Sequence, residues 1–138
     1  MLIRKALIID AKDIYEWRND NHTRAMSIQN DPVNWKHHLK WFNEILKSDN
    51  KYIYIGFFTE KKESCGMARF DIKDGKKEAT VSINLNPYWR GKRLSVELLS
   101  LAINEFRKIN KMTLLATIKK NNLGSIKCFE RCNFVEYK

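Results

Sequence analysis

Residues 79–85 alternate apolar and polar side chains, then run through residues 84–95 into a stretch of different period. There Leu94, Leu98, Leu101, Ala102, Phe106 and Ile109 recur at helical spacing. The first pattern predicts a strand with one buried face, the second an amphipathic helix. The turn between them holds Pro87, Gly91 and the cations Arg90, Lys92 and Arg93. A strand-to-helix turn aims backbone N–H groups and a helix N-terminus at one point, and the cations bias that point further toward an anion. The pattern reads as a cradle for phosphate or pyrophosphate. Turns with a glycine and some lysines also occur without a ligand, so the rest of the chain decides between the two readings.

The chain of 138 residues has the length of one ordinary domain, residues 1–138, with enough apolar side chains for a layered core. No apolar run approaches the roughly 20 residues that span a bilayer. The basic, apolar N-terminus lacks a small-residue cleavage site and reads as a first strand. Cys65, Cys128 and Cys132 form no disulfide framework, which points to the cytoplasm. Cys128 and Cys132 lie one helical turn apart, but His22, His37 and His38 are distant and no second cysteine pair exists. They read as buried structural thiols, with no metal expected. A formal net charge of +10 is compatible with nucleic acid, an acidic membrane surface or a phosphorylated small molecule. The cations are dispersed over Lys61-Lys62, Lys76-Lys77, Arg90 to Arg93 and Lys119-Lys120, as on solvated faces.

In order, the pattern predicts a strand over 2–9 and a short helix through Ile14, Trp17 and Arg18, then a loop or broken helix over 22–34. Asn34 caps a helix with Trp35, Leu39, Phe42 and Leu46 on one face. Strands follow over 52–59 and 65–72, with Asp74-Gly75 as a hairpin signal before the strand that enters the opening turn. After the long helix come a strand over 112–118, a short helix over 122–132 capped by Asn122, and a final strand over 134–137. The fold class is α+β, layered α/β/α, with a mixed, mostly antiparallel sheet and helices on both faces.

This order resembles that of the GCN5-related N-acetyltransferases (GNAT). One motif is the acetyl-CoA loop Q/R-x-x-G-x-G/A with a proline before it, matched by Pro87 and by Arg90-Gly91-Lys92-Arg93-Leu94-Ser95. The other is an Asn-x-x-Ser/Ala helix ending in Gly-Phe, matched by Asn122, Ser125, Phe129, Asn133 and Phe134. The resemblance implies acetyl-CoA as acyl donor. Leu85 would end a splayed strand whose backbone receives the acetyl and pantetheine groups. Arg90, Gly91, Lys92, Arg93, Leu94 and Ser95 would surround the pyrophosphate, and Asn122, supported by Ser125, would reach the pantetheine arm. Arg93 and Ser95 stand where the family has small residues, which binding tolerates if φ at Arg93 is negative. Asn133 replaces a glycine at a helix end and accepts a left-handed conformation. Phe129 stands where many relatives have a tyrosine that reprotonates the leaving thiolate. A thiol of pKa about 8.5 leaves acceptably without it.

The implied reaction is acetyl transfer to a primary amine by direct attack in a ternary complex, the Leu85 N–H helping the oxyanion. Thr80 occupies the place of a carboxylate often found on the strand before the loop, leaving Asp71 and His38 as candidates for the base, with Asn122 or a water beside the leaving thiolate. Acceptor recognition would fall to Trp17, Arg18, Asn19, His38 and Trp41, similar to the enzymes that acetylate nucleotide-linked amino sugars in pseudaminic and legionaminic acid pathways. The bland alternative makes Trp17 and Trp41 core residues and Arg18 a surface ion pair. Two other functions stand beside this one: acetylation of protein N-termini, and a non-catalytic basic module binding CoA or nucleic acid. The expected partner is a small-molecule amine, with no nucleic acid and no membrane, and a homodimer is left open.

Overall fold

The computed structural model describes residues 1–60, 62–75 and 77–137; the charges of Lys61 and Lys76 lie outside the described residues. Five strands form one sheet in the order β1-β2-β3-β4-β5. They are β1 (Leu2–Lys5), β2 (Lys51–Phe58), β3 (Glu63–Ile72), β4 (Glu78–Leu85) and β5 (Thr113–Leu115). The first four are antiparallel neighbours and β5 runs parallel to β4. The helices are α1 (Ala11–Asn19), α2 (Asn21–Met26), α3 (Trp35–Leu46), α4 (Ser95–Arg107) and α5 (Leu123–Arg131).

Strand alternation builds two cores. Ile53, Ile55 and Met67 face one side and pack with Ile14 and Trp17 of α1 and Phe42 and Ile45 of α3. Tyr54, Ala68, Phe70 and Val81 face the other side and pack with α4 and α5, where Phe70 and Phe106 stack at 4.3 Å. The layered α+β arrangement, with helices on both faces, is therefore as expected. Gly66 lets β3 and β4 close up beside α4. A Cβ there would lie 2.8 Å from the Asn84 carbonyl oxygen and 3.0 Å from Leu98.

Several boundaries differ from the sequence pattern, each for a physical reason. The first strand stops at Lys5 because Arg4 grips Asp10 through two nitrogens, at 2.8 and 2.9 Å, and the Leu7 N–H donates to the same carboxylate. The chain turns there and leaves Ile8 and Ile9 exposed. On α3 the buried face is His38, Phe42 and Ile45, while Trp35 and Leu46 are exposed. Both ring nitrogens of His38 are bonded, so this polar side chain is buried at little cost and the face rotates toward it. The expected strand over 134–137 does not form. Phe134 instead completes a helix end: its N–H donates to the Phe129 carbonyl, the Asn133 N–H to that of Glu130, and the two phenyl rings meet edge to face at 5.0 Å. Asn133 sits at φ 70°, the left-handed position that asparagine tolerates.

Candidate active site

β4 pairs with β5 over Glu78, Ala79 and Thr80 only, opposite Thr113, Leu114 and Leu115. Beyond that point the strands part, and this is why β5 ends well before Ile118. A cleft of about 480 Å³ opens between them. One wall is residues 81–85 of β4, the other is Thr117, Ile118 and α5, and α4 begins at its floor. The N-cap residue of α4, Leu94, makes no side-chain cap hydrogen bond, so the first N–H groups of the helix face the cleft without one from it.

Of the expected cofactor residues, Leu85, Arg90, Gly91, Arg93, Leu94 and Ser95 line the cleft from one side. Asn122 and Ser125 line it from the other, and exposed Lys92 does not line it. Asn122 Oδ1 accepts the Ser125 N–H as the cap of α5, which leaves its amide nitrogen as a donor. Gly91 takes φ 79°, the left-handed backbone that favours glycine. Arg93 takes φ 59°, so the negative φ on which tolerance of an arginine depended is not what the loop adopts. Left-handed backbone costs a non-glycine residue about 1–2 kcal/mol. Arg93→Gly is therefore expected to raise stability by roughly 0.5–1 kcal/mol in urea denaturation, since glycine's greater unfolded entropy offsets part of the relief. Its acetyl-CoA affinity is expected to be unchanged or weaker, because a cation is lost; a large gain in affinity would show that Arg93 obstructs the cleft.

Arg90 has a second engagement. Its Nη2 donates to Asp20 Oδ2 at 2.8 Å and to Thr23 Oγ1 at 3.1 Å, tying the loop to the cap of α2. Burial alone would raise the Asp20 carboxyl, but the Arg90 and Thr23 hydrogen bonds outweigh it and hold the carboxyl below its usual range. From the other wall, Lys119 donates to the Ala25 carbonyl at 3.1 Å. α2 is thus fastened to both sides of the cleft, and His22, Thr23, Met26 and Ser27 line it.

The sequence reading did not single out Lys127 and Arg131 of α5, which also line the cleft. Their signal was present in the spacing: Gly124, Lys127 and Arg131 follow at three and four residues and share a helix face. With Arg90 and Arg93 they make four cations, and among the described residues no carboxylate lines the cleft. Cys128 lies in the same wall, buried, its thiol pushed up by burial against a hydrogen bond with Ser95. Phe129 is buried and lines the cleft as well. Such a cleft accepts an elongated anion with an apolar arm.

A smaller pocket of about 170 Å³ shares Thr23, Ser27, Ser82, Ile83 and Asn84 with the cleft. Arg18 and Trp41, two of the expected acceptor residues, line it together with Arg69 and Asp31. Three others do not. Trp17 is core. Asn19 clamps Val33 through two hydrogen bonds, Nδ2 to the carbonyl at 2.7 Å and Oδ1 from the N–H at 2.9 Å. His38 is fully buried between α1 and α3. Burial, with the nearby Arg18 charge, lowers its pKa against the hydrogen bond to Ala11. Among the catalytic candidates, Asp71 lies opposite Thr80, outside both cavities. It is held by Arg69 at 3.0 and 2.8 Å and by Lys51 at 3.7 Å. Neither Asp71 nor His38 lines either cavity.

No group of three or more metal-ligating side chains occurs among the described residues, and no helix there is long and apolar enough to cross a membrane. Among curated protein sequences none matches the chain. Solved structures match it closely in fold. A Vibrio cholerae spermidine N-acetyltransferase in complex with CoA and spermine is 16% identical, superposes with a TM-score of 0.86, and shares 99% of this chain and 82% of its own. A domain from Methanocaldococcus jannaschii is 21% identical with a TM-score of 0.82 over 99% of this chain and 89% of that one. An aminoglycoside acetyltransferase in complex with coenzyme A is 18% identical with a TM-score of 0.81 over 98% and 84%. Residues 1–135 match the acetyltransferase (GNAT) domain, the parted strands and cationic turn fall within that match, and the chain belongs to the GNAT acetyltransferase family.

Proposed function

We propose that the cleft holds acetyl-CoA and that an amine presented from the smaller pocket takes the acetyl group by direct attack in a ternary complex. The observation that carries this reading is the charge of the cleft: Arg90, Arg93, Lys127 and Arg131 line it with no carboxylate among the described residues, beside the start of α4, where Leu94 provides no side-chain cap. Acetyl-CoA supplies the activated thioester. The chain's own part is to orient it along β4 and to bring the amine over Ser82, Ile83 and Asn84, where the two cavities meet. Asp71 and His38 are not assigned as the base, because both are engaged elsewhere. Water reaching the open pocket takes the amine's proton. The ring of Phe129 offers no proton, so the departing thiolate is released unaided or with the Asn122 amide as hydrogen-bond donor.

For the acceptor we place a nucleotide-linked amino sugar first, with Arg18 and Trp41 supplying the cation and aromatic wall that suit a sugar bearing a diphosphate. The experiment has two stages. Acetyl-CoA at about a hundredfold excess over its Kd is expected to stabilise the protein by about 2.7 kcal/mol, read as a thermal shift. Release of free CoA thiol is then followed with UDP-amino sugars and with a peptide library. Sugar-dependent release supports the reading and peptide-dependent release replaces the acceptor. No response to acetyl-CoA, with salt-sensitive binding of nucleic acid instead, would sink it altogether.

A further inference from the structure

Arg18 is a half-buried cation with no counter-charge among the described residues. No carboxylate comes within 4 Å of its nitrogens among the described residues, and its one side-chain hydrogen bond is to His38 Nδ1 at 3.2 Å. The other ring nitrogen of His38 lies 2.7 Å from the Ala11 carbonyl oxygen, which can only accept. The proton therefore sits on Nε2, and Nδ1 offers its lone pair to the guanidinium. Burial and the nearby Arg18 charge disfavour the charged form of this imidazole. A neutral group thus holds the cation in place and leaves its charge uncompensated.

The neighbours sharpen the contrast. Trp41 lies under both guanidinium groups, Arg18 at 4.4 Å and Arg69 at 5.0 Å from the ring centroid. Arg69 is neutralised by its paired contacts to Asp71. Burial and the repulsion from Arg69 both push the Arg18 guanidinium pKa down. Asp31, the one carboxylate lining the pocket among the described residues, is exposed to water and forms no ion pair with Arg18 within 4 Å. The guanidinium lines a pocket that opens onto the end of β4, within reach of a molecule seated there.

We propose that the smaller pocket is an oxyanion-binding subsite, in which Arg18, set against Trp41 by His38, holds a phosphate or carboxylate of the acceptor. The amine that is acetylated then belongs to an anionic molecule, and polycationic amines are rejected by the uncompensated guanidinium of Arg18. Arg18 is the specificity-determining residue and His38 positions it. This inference rests on reading the two cavities as donor and acceptor sites.

The test uses the full chain saturated with CoA, so that the cationic cleft is already filled. Inorganic phosphate, acetate and spermidine are titrated separately by calorimetry at constant ionic strength. Phosphate or acetate is expected to bind, with the tighter of the two identifying the oxyanion, and spermidine is not. Arg18→Gln is expected to weaken anion binding at least tenfold. Arg18→Lys, which keeps the charge but loses the planar fork, falls between and serves if the glutamine variant does not fold. Lys40→Gln, an equal charge change on the exposed face of α3, leaves binding unchanged. A CoA-bound protein that ignores both anions, that binds them equally well without Arg18, or that takes spermidine instead, overturns the inference and leaves the cleft reading standing. A protein that fails to bind CoA removes both.

Discussion

Truncating Phe129 to alanine is expected to cost about 3–5 kcal/mol of folding stability, the range for removing a buried phenyl ring from a core. The ring is 4% exposed and belongs to the cluster of Leu99, Phe106 and Cys128 that fixes α4 and α5 to the sheet. It also carries the edge-to-face contact with Phe134 that closes the α5 helix end. A domain with a total stability of about 5–15 kcal/mol loses a large part of it by this change. Urea denaturation gives the number directly. Because Phe129 lines the cleft as well, the same truncation widens the wall opposite β4, and acetyl-CoA binding is expected to weaken in variant that remains folded. A loss below about 1 kcal/mol, within the range of surface substitutions and slightly beyond, contradicts the packing described here.

The second large effect is electrostatic. The double reversal Lys127→Glu with Arg131→Glu is expected to reduce acetyl-CoA affinity roughly a hundredfold with little loss of fold. Both side chains are exposed on α5 and line the cleft. Each reversal changes the local charge by two units, and an exposed charge pair at short range is worth about 0.2–1 kcal/mol. Four units of change therefore amount to roughly 3 kcal/mol, or two powers of ten. The matched control is Lys36→Glu with Lys40→Glu, an equal reversal at the same helical spacing on α3, where both lysines are exposed and neither lines the cleft. Titration calorimetry at two ionic strengths separates the causes. A charge effect shrinks as the Debye length falls below about 10 Å, whereas a steric one does not. Equal losses in the two double variants would assign the effect to net charge and detach it from the cleft.

Much of the site is written locally in the chain. The turn with Pro87, Gly91 and its cations, and the Asn122 cap of α5, are short-range features whose residues carry their own conformational signals. What failed to show was long-range. Asp71 and His38 were reasonable candidates by residue type, but a carboxylate is decided by the arginine beside it and an imidazole by the carbonyl across from it. Trp17 and Trp41 look alike in sequence, each on an amphipathic helix, yet one is core and the other lines a pocket. The strand pattern over 134–137 went unfulfilled because a strand needs a partner edge, and Phe134 was drawn to the end of α5 instead.

By itself the sequence determined the order of elements, the two-sided sheet and the cationic turn with which α4 begins, since hydrophobic period, caps and left-handed positions act within a few residues. Tertiary structure alone decided that β4 and β5 part after three paired residues, that α2 is fastened across the gap by Arg90 and Lys119, and that no carboxylate among the described residues pairs with Arg18. These depend on which side chains meet across tens of residues. The turn that read as a place for an anion was legible, but the shape of the space around that anion was set by contacts between distant parts of the chain.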